Sequence, residues 1–244
     1  MTSRETTGYL PQGEAGLHRS WQEKALVAGW AVVQWPWLLR SLSGGRRRDK
    51  AALLDRLDLP HDALPNLGSW KADTFFLTHI ADTIAATRPS CVVELGAGAS
   101  SLIAARALQM HGGGTLISFD QNAAFVAATA RWLADNGLKA DLRHAPLVAR
   151  DSEWASCWYD LDHVPDSIDL LIIDGPPWTL NPFVRGAAEY LFDRLSKGGR
   201  VLLDDAARPG ERVVARRWRA RWPDIEFTLH RGGTKGMLEG RRRA

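Results

Sequence analysis

Val92-Val93-Glu94-Leu95-Gly96-Ala97-Gly98-Ala99-Ser100-Ser101 decides how this chain folds. The β-branched pair and Leu95 read as a buried strand. The Gly-x-Gly that follows is a tight turn, and a helix reopens from Ser100–Ser101. Glycine has no Cβ, so backbone at such a turn can approach a ligand closely. A nucleotide-like cofactor lying across the turn is therefore expected. No Gly-Lys-Ser/Thr follows, which excludes a Walker A loop. Ser101 stands where the third glycine of Gly-x-Gly-x-x-Gly would be, which weakens a pyrophosphate-binding reading.

Outward from that stretch, helices and strands alternate from Trp70 onward. Ala72–Thr87 reads as an amphipathic helix closed by Pro89, and Cys91–Leu95 as the first strand. Ser101–Met110 is the next helix. Thr115–Phe119 is a strand ending in Asp120, and helix Ala123–Ala134 stops at Asn136-Gly137, a C-cap signal. Strands follow at Ala140–His144 and Ile168–Ile173, separated by a polar loop with Trp154, Trp158 and Tyr159. Pro182–Leu195 reads as a helix, Arg200–Leu203 as a strand ending in Asp204-Asp205, and Glu211–Trp222 as a helix with Val214, Trp218 and Trp222 on one face. Ile225–Leu229 and Gly236–Leu238 can close a hairpin. This order predicts an α/β fold with a doubly wound, Rossmann-like sheet whose ligands bind at the carboxyl ends of the strands.

The region before Trp70 reads differently. Leu17–Leu42 looks helical, with Trp21, Leu26, Trp30, Val33 and Trp37 at roughly helical spacing, and Pro36 is expected to end or kink it. Gly44–Arg48 reads as a linker and Asp49–Leu57 as a short helix. We therefore divide the chain into an N-terminal helical extension, residues 1–68, and a cofactor-binding domain, residues 69–244. The extension closes over a substrate or pairs copies of the chain into a homo-oligomer.

With 244 residues, 45% hydrophobic and 24% charged, the composition is that of a soluble globular protein. No run of about 18 uncharged apolar residues is present, so no membrane span is expected. Met1–Gln12 lacks the order of a secretory signal, and Cys91 and Cys157 give neither a disulfide framework nor zinc spacing. A reducing cytoplasm is the expected location. Net charge is only +3, although the pI is near 9.1. The triple-arginine runs Arg46–Arg48 and Arg241–Arg243 suit solvated linker and tail better than nucleic-acid binding.

Each informative acid falls at a strand end. Glu94 precedes the glycine turn, and Asp120 follows Gly96 by 24 residues, spacing that lets a carboxylate bind ribose hydroxyls. Together Glu94-Leu95-Gly96-Ala97-Gly98, Asp120, Ile173-Asp174-Gly175-Pro176-Pro177 and Gly198-Gly199-Arg200-Val201-Leu202-Leu203-Asp204-Asp205 resemble class I S-adenosylmethionine-dependent methyltransferases. The resemblance runs from Trp70 to Glu239 and implies that family's seven-stranded sheet. It implies that Glu94, Gly96 and Gly98, with Ser100 and Ser101, meet the methionine part of S-adenosyl-L-methionine. Asp120 would bind the ribose, with Gln121 and the His144-Ala145 turn near adenine.

Within that superfamily, Asp174 with Asp204-Asp205 looks like the Mg²⁺-dependent sugar and small-molecule O-methyltransferases. Terminal carboxylates of neighbouring strands can converge on one hard cation, whereas Asp204 or Asp205 can also simply cap the next helix. Like charges so close raise one another's pKa unless a cation intervenes. Methyl transfer to a hydroxyl needs a base; Asp174 is the first candidate and His144 the second, with adenine contact as the other reading of His144. Trp178, Asn181 and Arg185 can meet substrate, or Arg185 can pair with an acid. The Trp154, Trp158 and Tyr159 loop can stack on a ring or pack in the core. His163 and His230 read as surface or structural. Catechol-type enzymes carry Asp-Asn after the fifth strand; Asp204-Asp205 and the Pro-Pro after Asp174 point instead to a saccharide or glycosylated small-molecule acceptor. The competing functions are an RNA methyltransferase, disfavoured by dispersed basic residues, and a nicotinamide-dependent oxidoreductase, which lacks a visible Ser-Tyr-Lys set.

Overall fold

The structure, a computed structural model, describes residues 20–243. The expected helix start at Leu17 and the leader reading of Met1–Gln12 lie outside the described residues. Helices are α1 (Trp21–Ser41), α2 (Arg47–Arg56), α3 (Thr74–Thr87), α4 (Ala99–Met110), α5 (Ala123–Asp135) and α6 (Pro209–Arg221). Strands are β1 (Cys91–Leu95), β2 (Thr115–Asp120), β3 (Asp141–His144), β4 (Leu147–Ala149), β5 (Cys157–Tyr159), β6 (Ile168–Ile173), β7 (Leu195–Asp204), β8 (Ile225–His230) and β9 (Met237–Arg242).

Seven strands form one sheet in the order β3-β2-β1-β6-β7-β9-β8. The first five are parallel, and β9 runs antiparallel between β7 and β8. The winding reverses between β1 and β6, so a crevice opens at the carboxyl ends of those two strands. Strand alternation divides the core: Val92, Leu170, Ile172 and Leu202 face α2, α3 and α4. Val93, Leu95, Leu171, Ile173, Val201 and Leu203 face α6, β5 and the segment before β7. Among the described residues, no helix is long and apolar enough to cross a membrane.

Several expectations are corrected. Pro36 does not end α1, which runs five residues further. The carbonyl that proline leaves unpaired belongs to Val32, which is 72% exposed, and the last turn is held by Ser69 N–H donating to the Ser41 carbonyl. The expected aromatic face holds only in part: Trp30 and Trp37 turn inward, with Gln34, Leu38 and Ser41, while Trp21, Leu26 and Val33 are exposed. Trp30 meets Phe183 edge-on at 5.1 Å. Helix α1 is apolar on both faces, so spacing alone could not choose between them. Helix α2 begins at Arg47, two residues early, taking in part of the expected linker.

The segment Val184–Arg194 is 3-10 rather than α. A Cβ at Gly186 would lie 2.1 Å from the Trp154 ring, and the Gly186 carbonyl accepts from Trp218 Nε1 at 2.9 Å. Both pull the backbone into tighter turns than an α-helix allows. The tryptophan loop is not a surface platform: β4 and β5 pair as a small antiparallel sheet, and Trp154, Trp158 and Tyr159 are core residues. The arginines at 241 and 242 belong to β9; Arg241 is solvated as expected, but Arg242 is not. Arg242 donates to the carbonyls of Phe192, Asp193 and Leu195 and pairs with Asp224.

Candidate active site

The glycine turn sits at the crevice. Gly96 has φ +95° and Gly98 φ +147°, conformations that side chains disfavour. A Cβ at Gly96 would lie 2.6 Å from Gly175 N. The close approach that glycine permits is thus first of all between the two loops flanking the crevice. The Asp174 and Gly175 N–H groups both donate to the Leu95 carbonyl at 2.8 Å. At Gly98 a Cβ would meet only the edge of Phe125, at 3.6 Å, so this backbone borders room for a ligand.

Ser101 explains its own departure from the three-glycine pattern. Its hydroxyl donates to Glu94 Oε2 at 2.5 Å and accepts from Gly98 N–H at 2.9 Å, which locks the turn from inside. Ser118, beside Glu94 on β2, donates to the same oxygen at 2.6 Å. Ser100 and Ser101 are both buried. Burial pushes the Glu94 carboxyl up to about 7, although the three serine hydroxyls oppose it.

Asp120 ends β2. Its Oδ2 accepts from Ala97 N–H at 3.2 Å and its Oδ1 from Asn122 N–H at 2.8 Å. Each oxygen therefore keeps accepting capacity. Burial pushes it too up to about 7. Around it gather Gln121, whose amide oxygen accepts from the Tyr159 hydroxyl, and Ala145, whose N–H donates to the Asp120 carbonyl. His144, exposed and opposite Asp120 in the β2–β3 register, places Nε2 3.1 Å from the Gln121 carbonyl. Glu94, Gly96, Gly98, Asp120, Gln121, His144 and Ala145 thus lie at the carboxyl ends of β1, β2 and β3.

Asp174, Asp204 and Asp205 converge as expected, with oxygens within 4.8 Å of one another. The same acids are shared by three cations of the protein. Arg185 Nη1 lies 3.0 Å from Asp205, and its Nη2 lies 3.3 Å from Asp174. Arg208 pairs with Asp205 at 2.6 Å and approaches Glu211 at 3.6 Å. Lys235 Nζ is 3.6 Å from Asp204 and 3.4 Å from Asp205. Burial alone would raise Asp205; Arg208, Lys235 and Arg185 outweigh it and hold this carboxyl well below the usual range. Asp174 is raised by burial, with Arg185 and Lys235 opposing. Asp174 is the one acid of this trio that reaches the opening, its side chain 13% exposed against 0% for Asp204 and 1% for Asp205.

These geometries decide between readings left open by the sequence. Arg185 pairs with acids. Asn181 accepts from Phe183 N–H in its own loop, and Trp178 is nearly buried. His230 lies 3.1 Å from Glu239. Lys235, Arg208 and Asp73 are not singled out by the sequence reading. For Lys235 the available signal was a lysine set among Gly232, Gly233 and Gly236 at the tip of the last hairpin, on the same rim as the acids.

Residues 93–206 match the family model described as a methyltransferase domain. No curated protein matches the chain. Among solved structures, it is similar to the O-methyltransferase TomG of Streptomyces achromogenes, solved with SAM. The two are 14% identical over 93% of this chain and 100% of that one, with a TM-score of 0.53. An O-methyltransferase from Bacillus cereus, solved with SAH, is 13% identical over 89% and 100% of the chains, with a TM-score of 0.56. One from Klebsiella pneumoniae, described as a putative O-methyltransferase, is 17% identical over 93% and 100%, with a TM-score of 0.55. At these identities the structures speak to the fold. Sheet order and glycine turn give the doubly wound, Rossmann-like fold, and the segment that matches a methyltransferase domain is the one that holds the glycine turn, Asp120, Asp174 and Asp204-Asp205.

Proposed function

We propose that the chain transfers a methyl group from S-adenosylmethionine to a hydroxyl of a saccharide or glycosylated small molecule, with Asp174 as the base. The observation that carries this is the position of Asp174. It follows β6 directly, beside the glycine turn, reaches the opening, and is paired with Arg185. When bound, S-adenosylmethionine supplies a methyl group activated by its sulfonium. Glu94, Gly96, Gly98, Ser100 and Ser101 would border its methionine part, Asp120 its ribose, and Gln121, His144 and Ala145 its adenine. The room over Gly98 and the spare acceptor capacity of Asp120 fit that group.

An aliphatic hydroxyl is a weak acid, so its proton must leave as the oxygen bonds to carbon. A carboxylate whose pKa is raised by burial is a stronger base than an exposed one, which suits Asp174. His144, on the far side of Asp120 and tied to Gln121, suits the adenine edge instead. An open groove of about 650 Å³ lies between α1, the β4–β5 hairpin and the Asn181–Phe183 turn. Asp174 does not line it, so its Arg150, Asp151, Ser152 and Asn181 would hold the part of a hydroxyl-rich acceptor that extends away from the base.

Magnesium, implied by the resemblance, does not fit the acid cluster. A divalent ion drawn to these oxygens meets protein cations already on them. At ~4 Å and an effective dielectric near 20, each unit charge repels a divalent ion by about 8 kcal/mol before relaxation. No step is assigned to a metal. Residues 69–244 are read as the catalytic domain and 1–68 as an extension, tied to the core by Leu53, Leu54 and Leu57. Cys91 and Cys157 are not joined in a disulfide, which suits a reducing cytoplasm. A second copy is the partner we assign to α1.

The test is transfer of labelled methyl from S-adenosylmethionine to methyl glucoside and methyl rhamnoside, with catechol and bulk RNA as competing acceptors. Label on a glycoside is expected, and Asp174→Asn should lower kcat by about 10²–10⁴ while leaving the Kd for S-adenosylhomocysteine unchanged. Label confined to catechol or RNA, or an unaffected kcat, would overturn it.

A further inference from the structure

We infer that Lys235, with Arg185 and Arg208, takes the place of a metal ion beneath Asp174, so that the acid cluster is neutralised by the protein's own cations. The inference deepens the reading of Asp174 as base by naming what holds it. Three buried acids, Asp204, Asp205 and Glu211, and the part-buried Asp174 face three buried cations at 2.6–3.6 Å. Like-charged carboxylates at strand ends are costly without a counter-charge, and here the chain supplies it from three separate elements.

The delivery of Lys235 is built rather than incidental. Its loop joins β8 to β9 and is clamped from two sides. Asp73, the N-cap of α3, accepts at Oδ2 from Thr234 N–H at 2.7 Å and Lys235 N–H at 3.3 Å. The carbonyls of Lys235 and Gly236 accept from Ala207 and Ala206 N–H at 3.0 and 3.1 Å, in the turn that follows Asp204-Asp205. Gly233, at φ +65°, leaves room that a Cβ would deny, since that Cβ would lie 2.4 Å from Asp73. Backbone so fixed commits a long, flexible side chain to one buried position. An ammonium suits it because Lys offers a compact point charge with three donors, the nearest side-chain equivalent of a small cation. Lys235 and Asp204 atoms lack close hydrogen-bond partners, so the contact is made by charge at 3.4–3.6 Å rather than by tight bonds.

The probe is Mn²⁺, followed by the electron paramagnetic resonance of the free ion in the presence of the full chain. Wild type should leave millimolar Mn²⁺ free, and methyl transfer should be unchanged after dialysis against EDTA. Lys235→Ala, which vacates the position, should bind one Mn²⁺ per chain at least about tenfold more tightly than wild type. Lys235→Arg, which keeps the charge, should not. Stoichiometric Mn²⁺ binding by wild type, or loss of transfer in EDTA restored by Mg²⁺, would overturn the inference. If Lys235→Ala does not fold, as read by circular dichroism, the wild-type titration and the EDTA experiment still decide. Mn²⁺ binding needs no acceptor, so failure of the glycoside assay and failure of this inference give different results.

Discussion

Asp120 carries a charge that depends on pH within the working range, and this has a measurable consequence. Burial sets its carboxyl at about 7 in the ligand-free fold, against an ordinary value near 4. Only the ionised form can accept at both oxygens from a ribose diol. Affinity for S-adenosylhomocysteine should therefore be full above pH 7 and fall as pH drops, by up to about tenfold per unit for this one proton. The sign for stability is opposite. A raised carboxyl favours the folded state below about pH 4 and loses that contribution as pH rises through 7, so added ligand stabilises most at alkaline pH. Glu94, also near 7, adds its own slope. Calorimetric titration of wild type and Asp120→Asn from pH 5.5 to 8.5 (about three units across that carboxyl) separates the two, and parallel profiles would exclude Asp120 from the cofactor contact. At this scale the acids were legible because each follows a hydrophobic strand. Of the cations, Arg185 was legible as a partner for an acid; Arg208 and Lys235 were not, since nothing in the local pattern ties them to Asp204 and Asp205, which they meet in the fold.

Elements were legible where hydrophobic periodicity had one answer. Ile168–Ile173 reads as a strand in the sequence and is one in the fold. Helix α1, apolar on two faces, and the stretch around Gly186, shaped by Trp154 and Trp218, had more than one answer until packing chose. The turn between β1 and α4 is the element on which the crevice depends, and its weak point is Gly96. Replacing it by alanine would force a side chain into the left-handed region and drive Cβ against the backbone of Gly175. Strain of roughly 1–3 kcal/mol for the dihedral, added to a clash with backbone that cannot swing aside, should cost about 3 kcal/mol or more. Urea unfolding of Gly96→Ala should show that loss, together with loss of S-adenosylhomocysteine binding. The same substitution at Gly98, where a Cβ finds Phe125 at an ordinary 3.6 Å, should unfold at higher urea than Gly96→Ala. Equal midpoints would mean that the two loops do not touch as described.

At the scale of the whole molecule, the outward face of α1 is unfinished. Trp21, Ala25, Ala28, Val32, Trp35, Leu39 and Leu42 recur at alternating spacings of four and three, and every one is exposed. Such spacing is that of a coiled-coil seam, and the expectation is that this face pairs with another helix. Trp21 and Trp35, 75% and 57% exposed, present roughly 300 Å² between them. Val32, Leu39 and Leu42 bring the strip to roughly 600 Å², the upper end of what a monomer leaves bare and approaching the ~800 Å² that each partner gives a standard interface. The small Ala25 and Ala28 allow close approach, and a two-fold axis lets one such strip cover its own copy. The inward face of α1 already packs against Phe183 and α6, so pairing would brace the wall of the groove assigned to the acceptor. Light scattering should therefore give twice the 27.0 kDa chain mass. Trp35→Glu with Leu39→Glu, both on exposed positions, should return one chain mass without unfolding the sheet. A wild-type monomer at micromolar concentration would show that α1 meets something other than itself, and a dimer untouched by the double substitution would place the interface elsewhere.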